Sequence, residues 1–120
     1  MHTLEVAQEF VALCQAGKFE EAGERFWADD VVSIEPMEGE MAVLRGKPAL
    51  RGKAEWWYAN HEIHSVVTHG PYVNGAQFAL RFEIDVTAKA SGQRLRMEEI
   101  ALYTLREGKI AEERFFGHPG

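Results

Sequence analysis

"WWYANHEIHSVV", Trp56 to Val67, is the stretch on which the fold turns. Upstream of it the apolar residues recur at helical spacing, and downstream they alternate. Within it, Trp57 and Tyr58 close a helical pattern, while Ile63, Val66 and Val67 bring the β-branched chemistry of a strand. It also carries His61 and His64, with Glu62 between them, which resembles an interrupted zinc signature. That signature needs two histidines at i and i+4 on one helix. Here they are three apart, and in a strand residues three apart face opposite sides. The stretch is therefore a seam between helix and strand, and no metal is expected. A metal would need Glu35 or Glu99 to complete its ligands.

Upstream, Pro48 to Asn60 is predicted as a third helix, with proline in its first turn and Ala49, Leu50, Ala54, Trp57 and Tyr58 along one stripe. Leu4 to Ala16 repeats the pattern through Val6, Ala7, Phe10, Val11 and Cys14, with Thr3 as a cap and Gly17 as a stop. "KFEEAGERFWA", residues 18–28, reads as a second helix weakened by Gly23. "ADD", 28–30, reads as a turn and "VVSIEP", 31–36, as a short strand in which Pro36 holds Glu35 extended. Residues 37–46 read as a loop.

Downstream, residues 63–73 run as a strand into Asn74-Gly75, a hairpin signal. "AQFALRFEIDVTA", 76–88, then alternates. Phe78, Leu80, Phe82, Ile84 and Val86 point one way, and Gln77, Arg81, Glu83, Asp85 and Thr87 the other. Turns at 90–93 and 106–109 bound two more strands, 94–105 and 110–116. Three helices and one short strand followed by a meander predict an α+β domain over residues 1–120: a cone-shaped, curved antiparallel sheet capped by three N-terminal helices. The inside of the cone is the natural pocket.

Composition narrows the partners. A net charge of −6 argues against nucleic acid and anionic membrane. No apolar run reaches the roughly 18 residues of a membrane span. The acidic, amphipathic N-terminus is unlike a secretory signal. The single cysteine, Cys14, excludes an internal disulfide and fits a reducing, cytoplasmic setting. It lies on the core face of the first helix and is read as packing rather than as a nucleophile.

Four segments resemble the nuclear transport factor 2-like superfamily, and more narrowly its SnoaL-like branch: "LCQAGKFEEAGERFWADDVVSIEP", "LRGKPALRGKAEWWYANH", "NGAQFALRFEIDV" and "ALYTLREGKIAEERFF". Together they cover most of the chain in the family's order. The resemblance implies the same cone. It also implies a choice among polyketide cyclases, ketosteroid isomerases, epoxide hydrolases, dehydratases and binding modules, which fold alone does not make. The isomerases use a carboxylate base just before a proline on the first strand, with a tyrosine and a protonated aspartic acid as oxyanion donors. Matching places Glu35 at the base, but Phe10 and Ala101 where the two donors belong. Neither can donate a hydrogen bond, so a ketosteroid isomerase is not expected.

If the family register holds, Leu95, Met97, Glu99, Ala101 and Tyr103 face the cone. Glu99 and Glu35 would then be a candidate acid and base whose mutual repulsion drives their pKa values apart. The bland alternative is Glu35 in a loop and Glu99 at a solvated rim. The Arg81, Glu83 and Asp85 face resembles the epoxide-hydrolase arrangement but is expected on the outside, paired across strands with Arg96. His61 or His64 is a further candidate, as a proton donor at the cone mouth working with Glu35. His2, His69 and His118 are read as terminal or turn residues without a role. Phe10, Trp57, Phe82, Tyr103 and Phe115 are expected to line the pocket, their default role being core.

The sequence thus points to a cofactor-free acid–base enzyme, a cyclase, isomerase or dehydratase, acting on a small hydrophobic carbonyl compound. The alternative is a non-catalytic ligand-binding or dimerisation module. Ile100 and Leu102 on the outer face call for cover, which predicts a homodimer.

Overall fold

A computed structural model describes residues 2–119. Helix α1 (Thr3–Gln15), helix α2 (Phe19–Phe26) and strand β1 (Trp27–Ile34) come first. A single 3-10 turn (Glu40–Ala42), strand β2 (Val43–Arg45) and helix α3 (Lys47–Asn60) follow. Strands β3 (His61–Asn74), β4 (Gln77–Ala88), β5 (Arg94–Arg106) and β6 (Lys109–Pro119) complete the chain. The six strands form one sheet in the order β2-β1-β6-β5-β4-β3. All pairs are antiparallel except β1 with β6, which is parallel. Three helices on one face of a mostly antiparallel sheet make the α+β architecture expected.

The seam falls at the boundary read from the sequence: α3 ends at Asn60 and β3 begins at His61. Three local expectations are corrected. The turn at 28–30 is part of β1, because the chain leaves α2 at Trp27 with extended geometry (ψ 134°) and pairs onward with β6. The loop at 37–46 contains the 3-10 turn and β2, which pairs Val43 with Ile34 and Arg45 with Val32. Thr3 lies inside α1; the backbone N–H of His2, one residue earlier, donates to Glu5 Oε1 at 3.4 Å.

The alternation of β4 sets the core. Phe78, Leu80, Phe82 and Val86 are buried under the helices. Directly across on β5, Phe82 faces Glu99, Leu80 faces Ala101 and Phe78 faces Tyr103. Phe78 stacks on Tyr103 at 4.8 Å and meets Phe10 of α1 edge-on at 5.8 Å; Phe10 in turn meets Phe26 of α2. This aromatic group fills the narrow end of the cone. On the outer face Arg81 reaches Glu98 (3.0 Å) and Glu83 (3.2 Å), Glu83 also meets His69 (2.8 Å), and Arg94 grips Asp85 through two hydrogen bonds. Arg96 lies 3.8 Å from Asp85, the cross-strand pairing expected. Ile100 and Phe116 sit opposite each other on that face, 48% and 51% exposed.

Phe78 is completely buried at the centre of this packing. Phe78→Ala is expected to cost about 3–5 kcal/mol, read as a lowered midpoint in urea unfolding with an unchanged m-value.

Candidate functional site

A polar thread crosses the apolar interior from β1 to α3. It begins at Trp27, the first residue of β1, whose indole Nε1–H donates to Glu113 Oε1 on β6 at 2.7 Å. Ser33 lies beside Glu113 in the parallel β1–β6 register and donates its hydroxyl to Oε2 at 3.2 Å. Lys53 reaches down from α3 and donates from Nζ to Ser33 Oγ at 3.0 Å. The same ammonium pairs with the carboxylate of Glu35, just past the end of β1, and lies 4.5 Å from the centre of the Phe115 ring. Glu113 is 6% exposed and Ser33 1%.

Each position has a local cause. Lys53 stands three residues after Leu50 and four before Trp57, which puts it on the inward stripe of α3. Glu113 faces inward because of a bulge. Leu105 pairs with Ile110 and Thr104 with Glu112, so Ala111 is an extra residue that flips the face of everything after it. Trp27 depends on Gly23, one turn earlier on α2. A Cβ at Gly23 would lie 2.6 Å from two atoms of the Trp27 ring, closer than any side chain tolerates. The glycine that weakens α2 is the seat of the indole.

Glu99 stands beside this thread on β5, partly buried, with Gly117 of β6 opposite it. Burial is the main force on its carboxyl and pushes its pKa up to about 7. The negative charges of Glu35 and Glu113 push the same way and Lys53 opposes them. Burial also raises Glu113, against the opposing effects of Lys53 and the hydrogen bonds from Trp27 and Ser33. Tyr103, next but two along β5 from Ile100, is enclosed and held well above the usual phenol range, by burial first and then by the charge of Glu113. Burial pushes the Cys14 thiol up to about 12, so it stays a neutral packing group.

The structure thus brings Glu35, Glu99 and Phe115 together, and adds Lys53, Ser33, Glu113 and Trp27, which sequence reasoning missed. Ser33 was visible in principle: it shares the alternation of Val31 and Glu35. Phe82 lies directly across from Glu99 and meets Phe19 at 6.3 Å. Phe10 and Tyr103, expected to line a pocket, pack against each other at 4.9 Å in the narrow end. Trp57 stacks on His61 at 3.8 Å, and a ring nitrogen of His61, Nδ1, lies 3.0 Å from the Trp57 carbonyl.

His64 is the extra residue of a bulge in β3, since Ile63 pairs with Val86 and Ser65 with Asp85. It is exposed and meets Thr87 Oγ1 at 2.7 Å. β3 is the sheet edge remote from β1, and among the described residues no hydrogen bond or ion pair joins either histidine to Glu35 or Glu99. His69 lies within β3 rather than in a turn; the side chain of His118 lies outside the described part. At the far end of the row that holds Phe82 and Glu99, Thr68 is buried with its hydroxyl unpaired. Among the described residues no three His, Cys, Asp or Glu side chains converge as metal ligands, and no helix is long and apolar enough to cross a membrane. An open cleft of about 450 Å³ lies by the α1–α2 turn, against Lys18, Phe19 and Tyr58.

Two outcomes test this arrangement. Gly23→Ala is expected to displace the Trp27 indole and break its bond to Glu113. The Trp27 indole N–H resonance should move toward its solvent-exposed position, and stability should fall by about 1–3 kcal/mol. For Glu99, the folded protein binds a proton between the ordinary carboxylate range and about pH 7 that the unfolded chain has released. Stability therefore falls as pH rises through that window. Urea unfolding at about pH 5 and pH 8 should show wild type losing on the order of 2 kcal/mol relative to Glu99→Gln.

The comparisons agree with the fold. The family model for the SnoaL-like domain matches residues 1–117. A crystal structure from Mesorhizobium loti is 53% identical over 97% of this chain and 99% of its own, with a TM-score of 0.94. Its name proposes a SnoaL-like polyketide cyclase, with carbohydrate phosphatase in brackets. A structure from Bacillus subtilis whose name proposes an isomerase is 20% identical, over 99% of this chain and 91% of its own, at a TM-score of 0.78. An NTF2-like protein from Burkholderia xenovorans LB400 is 18% identical, over 97% and 88%, at 0.73. Among curated proteins none matches the sequence.

Proposed function

The chain belongs to the SnoaL-like domain family, and we propose that it is a small-molecule enzyme using acid–base chemistry, without a cofactor, on a hydrophobic carbonyl compound. The observation that carries this is the pair of carboxylates at the cone mouth. Glu35 is ion-paired with Lys53 and so held in place. Glu99, pressed by burial and by the charge of Glu35, keeps its proton up to about pH 7. A carboxyl that keeps its proton beside a second carboxylate held by an ammonium is the arrangement an acid and a base require. Glu35 takes a proton from the carbon next to the substrate carbonyl. Glu99 donates a hydrogen bond, or its proton, to the carbonyl oxygen as charge develops there. Lys53 and Ser33 orient Glu35, and Glu113 anchors both from below. A cyclase and an isomerase share this step. The bracketed phosphatase of the Mesorhizobium neighbour suits the site less well, because three carboxylates against one already paired lysine disfavour a phosphate group.

The second reading, a non-catalytic ligand-binding or dimerisation module, has its own support in the aromatic packing that closes the narrow end. Under either reading we place the chain in a homodimer through the outer sheet face. Ile100 and Phe116 are exposed there beside charges of both signs, which a two-fold contact can match with their own copies. A cytoplasmic location fits the lone thiol of Cys14.

The catalytic reading is tested by deuterium exchange at the α-carbon of a panel of cyclic ketones in D2O, followed by proton NMR. Wild type should exchange at least one ketone faster than buffer, with the rate falling as pH rises through about 7 and Glu99 loses its proton. Glu35→Gln should cut the rate by about 10²–10⁴-fold. Glu99→Gln should lower it and abolish the fall above pH 7. Exchange by wild type no faster than by Glu35→Gln across the panel sinks the catalytic reading.

A further inference from the structure

We infer that Thr68 is the second anchor of the ligand site: its hydroxyl binds a polar group at the end of the ligand away from Glu99, so the substrate carries polar groups at opposite ends of a flat, neutral body. The inference rests on the carbonyl-binding role proposed for Glu99.

Thr68 stands in the same inward row as Glu99. It pairs with Phe82 across β3 and β4, and Phe82 pairs with Glu99 across β4 and β5. Residues directly opposite each other in antiparallel strands point to one face, so all three side chains enter the layer between sheet and helices. The other residues of β3 opposite inward positions of β4 are Ile63, facing Val86, and Val66, facing Ile84. Both are aliphatic, and Thr68 interrupts them as Glu99 interrupts the apolar face of β5. Thr68 is 7% exposed, and its hydroxyl meets no donor or acceptor among the described residues. Its backbone carbonyl is engaged, by Gln15 Nε2 at 3.4 Å. A buried hydroxyl without a partner costs stability that valine, of the same shape, would keep. The strand itself has no use for it.

The row has a way in. Phe19, at the start of α2, is half-buried. It packs against the Phe82 ring at 6.3 Å and also lines the open cleft of about 450 Å³. Gln15, which reaches Thr68, stands two residues before Gly17 on the wall of the same cleft. A turn of the Phe19 ring into the cleft uncovers Phe82, the residue between the two anchors. Adjacent strands lie about 4.8 Å apart, so the backbones of Thr68 and Glu99 are separated by about 10 Å. A ring lying on Phe82 with a polar atom at each end bridges that distance. A hydroxyl both donates and accepts, so the far group is a hydroxyl or a carbonyl. A charged group there would be buried without a counterion, which is costly.

The test reads binding rather than turnover. It uses 1-indanone and 5-hydroxy-1-indanone near pH 6, which differ by one hydroxyl at the end away from the carbonyl. Calorimetric titration gives the dissociation constants, and ¹³C-labelled threonine methyls report contact. Wild type should bind the hydroxy compound about three- to tenfold more tightly, and the Thr68 methyl resonance should move as it binds. Thr68→Val should bind the two compounds alike and melt no lower than wild type. Thr68→Ser, which keeps the hydroxyl, should keep the preference. The inference is overturned if neither compound binds up to its solubility, if wild type shows no preference, if Thr68→Val keeps it or Thr68→Ser loses it. It is also overturned if the valine lowers the melting temperature, since the hydroxyl would then have a partner inside the protein. A protein that shows this preference yet exchanges no α-proton keeps the anchor and loses the catalytic reading. One that exchanges ketones at the same rate with or without the Thr68 hydroxyl, and shows no preference, does the reverse.

Discussion

The burial of one carboxylate organises the working end of this molecule. Glu113 sits inside the sheet–helix layer, where an unpaired charge is costly, and is tolerated because Trp27 and Ser33 both donate to it. Those bonds tie the first strand to the last in their parallel pairing. They also leave negative potential under Ser33, which is where the Lys53 ammonium settles, and Lys53 in turn fixes Glu35. Glu99 is the remaining member. With burial and two carboxylates against it and one ammonium in its favour, it holds its proton to about pH 7. Removing Glu113 would therefore act on residues it never touches.

The fold was legible in the sequence because its two periodicities are clean. The inward stripe of α1 and the strict alternation of β4 leave little choice about which face is buried. The seam at Asn60 and His61 was legible for the same reason: β-branched residues begin where the helical stripe stops. Glu35 and Glu99 could be picked out because one precedes a proline and the other interrupts an apolar face. What escaped was everything that depends on a bulge or on contact between distant elements. Counting by twos from Ile110 puts Glu112 inside; the extra residue at Ala111 puts Glu113 there instead. Counting by twos through β3 leaves His61 and His64 undecided; the bulge sends His64 to the side where Thr87 lies. Trp27 looked like a helix end, because its bond partner lies 86 residues away.

The glycines show the same limit from another side. Gly23 reads locally as a defect in a short helix, and becomes intelligible only when the Trp27 ring is seen lying across it. Its cost to α2 is small beside the loss of a bond to a buried carboxylate. Gly117 is the contrary case, where neither strain nor crowding accounts for glycine.

The two faces of the sheet divide the labour by solvation. Outside, Arg81, Glu83, Glu98, Asp85 and Arg94 are paired in water, where such pairs contribute little and shift proton affinities only by holding carboxylates charged. Inside, the same residue types are fewer and partly withdrawn from solvent, and the direction reverses: Glu99 and Glu113 are held toward the neutral form. A carboxyl held toward its neutral form therefore arises on the inner face, as at Glu99 and at Glu113 across from Tyr103, and not among the paired carboxylates outside.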